Sequence, residues 1–509
     1  MPSVPDSSLR YCHSRKLQSF AGWCLLSVSL VAAASCAVGP DYQPPSSKVP
    51  QAWRGASPPE TEQMSVITTT PPELADWWRH FSDPVLISLV ERAIESNLDL
   101  AQARARIRQA RAARGIVTAD FWPGVNASAD YRRSGSGSSG GTVVGGDAEG
   151  GLPFVSGGGA VERDLFEAGL DATWELDIFG GVRRDIEAAD ADIRASVEDL
   201  RDVLVSLVAE VGTNYVSLRS IQERIAIAER NLKAQEHTAE ITRKRFEAGF
   251  VSRLDVANAS AQVATTRSQI PLLESAEQGT IYTISVLLGL DPGALAAELS
   301  AQEPIPPIPL QVPVGLPSDL LRRRPDIRRA EAQIRAATAR IGVATADLFP
   351  RFSLTGSFGF SSSDLATFLN WSNRLYSLGP SVIWPVFDAG RIRANIELQK
   401  AIQEETLLAY RSTVLTALRD VETALAAYAK EQQHRAALEE AVVNNRKAVD
   451  LATQLYVAGR TDFLNVLAAE NALHATEDEL AVSTGNQAAN LIALYKALGG
   501  GWQQELWSK

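Results

Sequence analysis

A chain of 509 residues with 45% hydrophobic and 21% charged side chains has the composition of a large folded body, which excludes a disordered segment. Its formal net charge of −11 makes nucleic acid a poor partner, since that binding draws on clustered Lys and Arg. Cysteines stand only at Cys12, Cys24 and Cys36, so no disulfide framework is expected.

In chain order, the first segment carries Arg10, Arg15 and Lys16, an apolar run over 25–34, and then Ser35-Cys36. That order reads as a secretory signal over 1–35 ending in a lipoprotein-type cleavage site. Ala33, Ala34 and Ser35 are small enough to extend through a narrow peptidase cleft, and the Cys36 thiol is the group that takes a diacylglycerol. Cleavage without lipid, or a signal anchor, is the alternative to lipidation. Ala37 lacks the aspartate that holds many lipoproteins at the inner membrane, which favours the outer one. Beyond the signal no uninterrupted apolar run reaches helix-spanning length, so any crossing of a membrane has to use a closed barrel.

A helical pattern over 84–118 leads into segments that alternate with period two. Val125, Ala127, Ala129 and Tyr131 oppose Asn126, Ser128, Asp130 and Arg132; Leu170, Ala172 and Trp174 oppose Asp171, Thr173 and Glu175. A Gly- and Ser-rich loop over 134–160 separates them. Next comes a heptad stripe through Ile193, Val197, Leu200, Leu204, Leu207 and Val211, the start of an uninterrupted helix over 182–246, roughly 95 Å at 1.5 Å per residue. Gly249 predicts its left-handed stop. A return helix over 254–288 follows, in which Pro271 predicts a kink or a break.

The proline-rich stretch 303–316 leads to a second copy of the same order. It has a helix over 317–345, then Phe352, Leu354, Phe358 and Phe360 against Ser353, Thr355, Ser357 and Ser361, a loop over 361–373, and Leu378, Pro380, Val382 and Trp384 against Ser377, Gly379 and Ser381. A rod from Arg391 runs through Val414, Leu418, Val421, Leu425 and Tyr428 to Gly459, and a return helix covers 463–498. VTADFWP at 117–123 returns as ATADLFP at 344–350, and FEAG at 246–249 returns as YVAG at 456–459. The expected division is a signal over 1–35, an anchored segment over 36–83, repeats over 84–302 and 317–498 around the linker, and a tail over 499–509.

Such duplication suits a scaffold or conduit better than a single catalytic pocket. The strands have the length that crosses a bilayer, and Phe121, Trp122, Phe349, Trp371, Tyr376 and Trp384 gather at their ends like an interfacial girdle. The alternative is a small water-soluble sheet with one buried face. Four strands cannot close a membrane barrel, whose smallest form has about eight. Membrane insertion therefore requires several copies to share one barrel. The expected class is mainly α with a small membrane β part, internally duplicated, in an oligomeric β-barrel continued by a helical coiled-coil barrel.

The motifs CAVGPDYQPP at 36–45, WWRHFSDP at 77–84, LLRRRPDIRRAE at 320–331, WPVFDAGRIRANI at 384–396 and YVAGRTDFLNVLAAEN at 456–471 span most of the chain in order. With them the chain resembles the TolC-like outer-membrane factors, in their NodT branch of efflux lipoproteins. The resemblance implies a homotrimer with a twelve-stranded barrel in outer-membrane lipid, hairpin tips that meet a periplasmic adaptor, and an inner-membrane pump of the resistance-nodulation-division (RND) type that supplies the energy. The chain itself then conducts exported small molecules passively, with no cofactor other than covalent lipid on Cys36.

The resemblance also implies that the tips hold the periplasmic mouth shut. The tip and gate residues are then Gly249, Asp255, Gly459, Arg460, Asp462, Phe463, Leu464 and Asn465. Asp255 with Arg460 is the candidate latch, because an exposed pair worth about 0 to 1 kcal/mol yields when a partner docks. Asn465 and Ala468 stand where relatives often place aspartates, and Asp462 is the candidate substitute. Catalysis is the first rival reading. Yet His13, His80, His237, His434 and His474 stand singly and no phosphate loop follows a strand, so neither catalytic residues nor a metal are expected. A lipid-anchored periplasmic coiled-coil scaffold without a pore is the second.

Overall fold

A computed structural model describes residues 37–46, 49–54, 66–68, 74–136, 161–309 and 311–502. The signal, Cys36 and loop residues 137–160 lie outside the described residues. Asp83 opens the first helix, α1 (Pro84–Ser96), by accepting the N–H groups of Val85 and Leu86 at 2.9 and 3.0 Å, with Pro84 in the first turn. The helix expected over 84–118 is in fact two. Asn97 turns extended at ψ 132°, and α2 (Leu98–Ala119) begins beyond it. Its side chain accepts from the Leu100 N–H at 2.9 Å and donates to the Leu287 carbonyl at 2.8 Å, local bonding that competes with helix continuation.

Strands β1 (Gly124–Ser136) and β2 (Val161–Leu176) lead to α3 (Gly181–Glu247) and α4 (Arg253–Leu287). The second copy is α5 (Pro325–Ala346), β3 (Arg351–Ser362), β4 (Arg374–Ile383), α6 (Arg391–Val457) and α7 (Phe463–Ala497). The long helices α3 and α6 each have 67 residues and the return helices α4 and α7 each have 35, so in these hairpins the duplication holds to the residue. α5 starts later than expected because Arg324, directly before Pro325, is held extended; only short helical turns cover 317–323. Pro271 does not interrupt α4. One absent N–H is a small loss in a helix otherwise continuous over 35 residues. Two three-residue strands, Val66–Thr68 and Gln311–Pro313, pair in parallel and were too short to carry a periodic signal.

The chain divides into two compact units, one of residues 1–43, 111–191 and 335–404 and the other of 44–110, 192–334 and 405–509. The first holds the sheet, in the order β1-β2-β3-β4, antiparallel throughout. Its register sets Ala127, Leu170, Phe358 and Tyr376 side by side, and Asn126, Asp171, Ser357 and Ser377 on the neighbouring rung. Each expected apolar face thus joins the next into one continuous face, and the polar residues form the other. The apolar face is open, with Val125 62%, Leu170 52% and Leu378 78% exposed. Residues 37–42 are pinned beside the sheet: the Val38 N–H donates to the Phe179 carbonyl at 3.0 Å, and Arg184 donates to the Val38 carbonyl and to Asp41.

In the second unit Trp77, fully buried, stacks on Tyr495 with ring centroids 5.4 Å apart. The Tyr215 hydroxyl donates to the second Asp83 oxygen at 2.8 Å, and burial raises the Tyr215 pKa. Asp83 therefore opens one helix and anchors another. Asp83→Ala is expected to remove the cap and strand a buried hydroxyl, costing about 1 to 3 kcal/mol. The check is a lower thermal midpoint by far-UV circular dichroism, with Asp83→Asn losing less.

Candidate functional site

The two hairpin tips both belong to the second unit and are built alike. α3 stops at Gly249 (φ 79°) and α6 at Gly459 (φ 70°), the left-handed backbone that glycine takes without strain. In each, the residue after the glycine donates back five positions: Phe250 N–H to the Arg245 carbonyl at 2.8 Å, and Arg460 N–H to the Leu455 carbonyl at 2.9 Å. This closure satisfies carbonyls that a helix end leaves free. Both glycines therefore stand where the sequence placed them.

Asp255 takes a different role from the one expected. Its carboxylate accepts the Ser252 N–H at 2.9 Å and the Ser252 hydroxyl at 2.8 Å, while its own N–H donates to that hydroxyl at 3.2 Å, a capping box on α4. No ion pair joins Asp255 to Arg460 within the chain, so the expected latch is not formed there. Phe463 also departs from expectation, being 2% exposed in an apolar cluster with Ala259, Tyr456 and Val466. Leu464, Phe250 and Leu254 are exposed instead. Asp462 occupies the N-cap of α7 without a side-chain cap bond, and the Asn465 amide donates to the Thr461 hydroxyl at 2.7 Å.

Arg245 makes the joint between the hairpins. From the last turn of α3 its guanidinium donates to the carbonyls of Tyr456 and Val457, the latter at 3.1 Å, and lies 4.6 Å from the centre of the Tyr456 ring. A cation thus meets the negative end of α6 and the face of an aromatic ring together. The Tyr456 hydroxyl donates to Thr242 of α3 at 3.3 Å, and the Thr238 hydroxyl donates to Glu470 of α7 at 2.8 Å. These residues escape sequence reading because Lys244 and Arg245 end α3 as an ordinary basic last turn. The one available signal is YVAG itself, which puts an aromatic residue three before the stop. Among the described residues no group of three or more His, Cys, Asp or Glu is placed to hold a metal.

The family model described as "Outer membrane efflux protein" matches residues 89–290 and 316–500, which are the two copies of the repeat. The chain is 33% identical over 451 residues to the pyoverdine export outer membrane protein OpmQ of Pseudomonas aeruginosa, covering 88% of this chain and 92% of that protein. It is 31% identical over 472 residues to nodulation protein T of Rhizobium leguminosarum bv. trifolii, covering 92% and 95%. A solved structure of the outer-membrane channel OprN superposes with a TM-score of 0.81 at 36% identity, covering 92% of this chain and 100% of that one. With both repeats matched and a solved channel superposing over nearly its whole length, the chain belongs to the outer membrane efflux protein family.

Proposed function

We propose that this outer-membrane efflux channel works as three copies sharing one barrel, each tethered by lipid on Cys36, with the hairpin tips received by a periplasmic adaptor and an RND-type inner-membrane pump driving transport. The observation that carries the proposal is the sheet. Among the described residues its outer strands β1 and β4 each have one unpaired side, and one face is largely apolar, with Val125, Leu170, Phe358 and Leu378 exposed on it. In lipid an open edge leaves backbone groups without partners, at several kcal/mol each, so the sheet is complete only when β1 of one copy meets β4 of the next. The resemblance to TolC-like factors favours three copies over two or four.

The tips support the partner reading. Phe250, Leu254 and Leu464 are 76%, 66% and 60% exposed beside glycine turns that keep their shape without them. Apolar side chains held on rigid turns suit docking by another protein. The relative that exports pyoverdine favours a small solute as cargo. A tethered scaffold without a pore leaves the exposed apolar face unexplained.

The test is native mass measurement of the detergent-solubilised full chain, followed by conductance in planar lipid. The expected results are the mass of three acylated chains and discrete current steps, with acyl mass lost in Cys36→Ala. A lone subunit carrying no current overturns the proposal.

A further inference from the structure

The inward stripe of α3 changes character along its length. It is aliphatic and buried at Leu200, Leu204, Leu207 and Val211, and becomes Asn231, Gln235, Thr238 and Thr242 as it nears the tip. Gln235 is 4% exposed and its side-chain oxygen has no hydrogen-bond partner among the described residues; the Asn231 amide nitrogen is likewise buried and without a partner among them. Opposite runs α7, where Val466, Glu470 and His474 share one face at a spacing of four. Val466 closes the apolar tip cluster, Glu470 accepts the Thr238 hydroxyl, and His474 Nε2 is buried without a partner among the described residues. A polar seam thus lies directly behind the apolar tip.

Glu470 is half-buried there, with no cation among the described residues to neutralise it. Among the described residues Thr238 is its one hydrogen-bond partner. The basic groups of the surrounding helices are committed elsewhere: Arg267 of α4 to Glu236 at 2.7 Å, Arg446 of α6 to Glu477 at 2.6 Å, Arg224 of α3 to Asp478 at 2.7 Å, and Arg245 to the Tyr456 carbonyl. Lys233 and Lys447 are exposed, and Lys244 pairs with Glu240 at 2.7 Å. On its own helix the titratable neighbour along this face is His474. A carboxylate so placed loses hydration without gaining a counter-charge, which penalises its ionised form.

We propose that Glu470 is a proton-operated positioning residue: protonated, it holds α7 against α3, and ionised it loosens the joint between the two hairpins. This rests on the channel reading, to which it adds regulation of the gate by periplasmic pH. Burial raises the Glu470 carboxyl above its ordinary 4.5, with the Thr238 bond opposing. The packed seam therefore keeps a proton that a parted, hydrated seam releases. The joint is tightest below the ordinary carboxyl pKa and loosens as pH rises through the raised one. Within that window the ratio of packed to parted hairpins falls by up to about tenfold per pH unit.

The experiment places spin labels on the full chain at Ala234→Cys and Ala475→Cys, both exposed positions flanking the seam, and measures their separation between about pH 5 and about pH 8. The expected result is a longer-distance population that grows with pH, disappears in Glu470→Gln and persists in His474→Gln. An unchanged response in Glu470→Gln, a response lost in His474→Gln, or no response in the parent chain overturns the proposal. Conductance of the same samples separates the two readings: absence of current refutes the channel, while the label distances alone decide the role of Glu470.

Discussion

Gly359→Val is expected to abolish the heat-modifiable oligomer band and the conductance, whereas Gly379→Val on the neighbouring strand preserves both. A Cβ added at Gly359 lies 2.6 Å from the Ala168 carbonyl oxygen and 2.9 Å from Gly169 Cα, and one added at Gly169 lies 3.0 Å from the Phe358 oxygen. These obstacles are backbone atoms, which cannot swing aside as a flexible side chain does. Gly169 and Gly359 face each other where β2 meets β3, the seam through which the two halves of the duplicated chain share one sheet. Forcing that seam apart costs on the order of 3 kcal/mol or more and removes the pairing that gives the sheet its four strands. At Gly379 no atom lies within 4 Å of an added Cβ. Equal loss in both variants refutes the close-approach argument.

The architecture was legible where it is periodic. Alternation placed the four strands of the antiparallel sheet and their faces, though not the two three-residue strands, and the register then joined those faces without a slip, since a one-residue shift would have turned Leu170 and Phe358 to the polar side. The rods were legible because a heptad stripe and a terminal glycine are both local signals. Where the reading failed, the deciding partner lies far along the chain or the local pattern admits two uses. Asn97 ends α1 with the help of the Leu287 carbonyl, 190 positions away. Ser252 and Asp255 form a capping box that their spacing allows, yet an exposed Asp beside a basic tip suggests a latch equally well. Phe463 is buried because Tyr456 of the other arm of its hairpin covers it, at a ring separation of 5.8 Å. Arg245 draws its importance from a helix end 211 positions downstream.

That distance makes Arg245 the decisive test of how the tips are held. Its side chain closes the C-terminal end of α6 from outside, so the two hairpins move as one while the bond stands. Truncation in Arg245→Ala leaves the Tyr456 and Val457 carbonyls without their charged donor and the Tyr456 ring without its cation. Charge-assisted bonds contribute about 1.5 to 3 kcal/mol and a partly desolvated cation over a ring about 1 kcal/mol. Allowing for water that replaces the lost donor, a net of about 2 kcal/mol shifts the balance of closed and open tips roughly 30-fold. The expected result is a rise of that order in resting open probability in planar lipid. Arg245→Lys keeps the charge but not the fork that spans two carbonyls, so it falls between parent and alanine variant. Arg460→Ala removes a side chain that makes no bond among the described residues and is expected to leave the resting current near the parent value. Should Arg460→Ala open the channel and Arg245→Ala leave it shut, the closure belongs to the tip surface and not to the joint behind it.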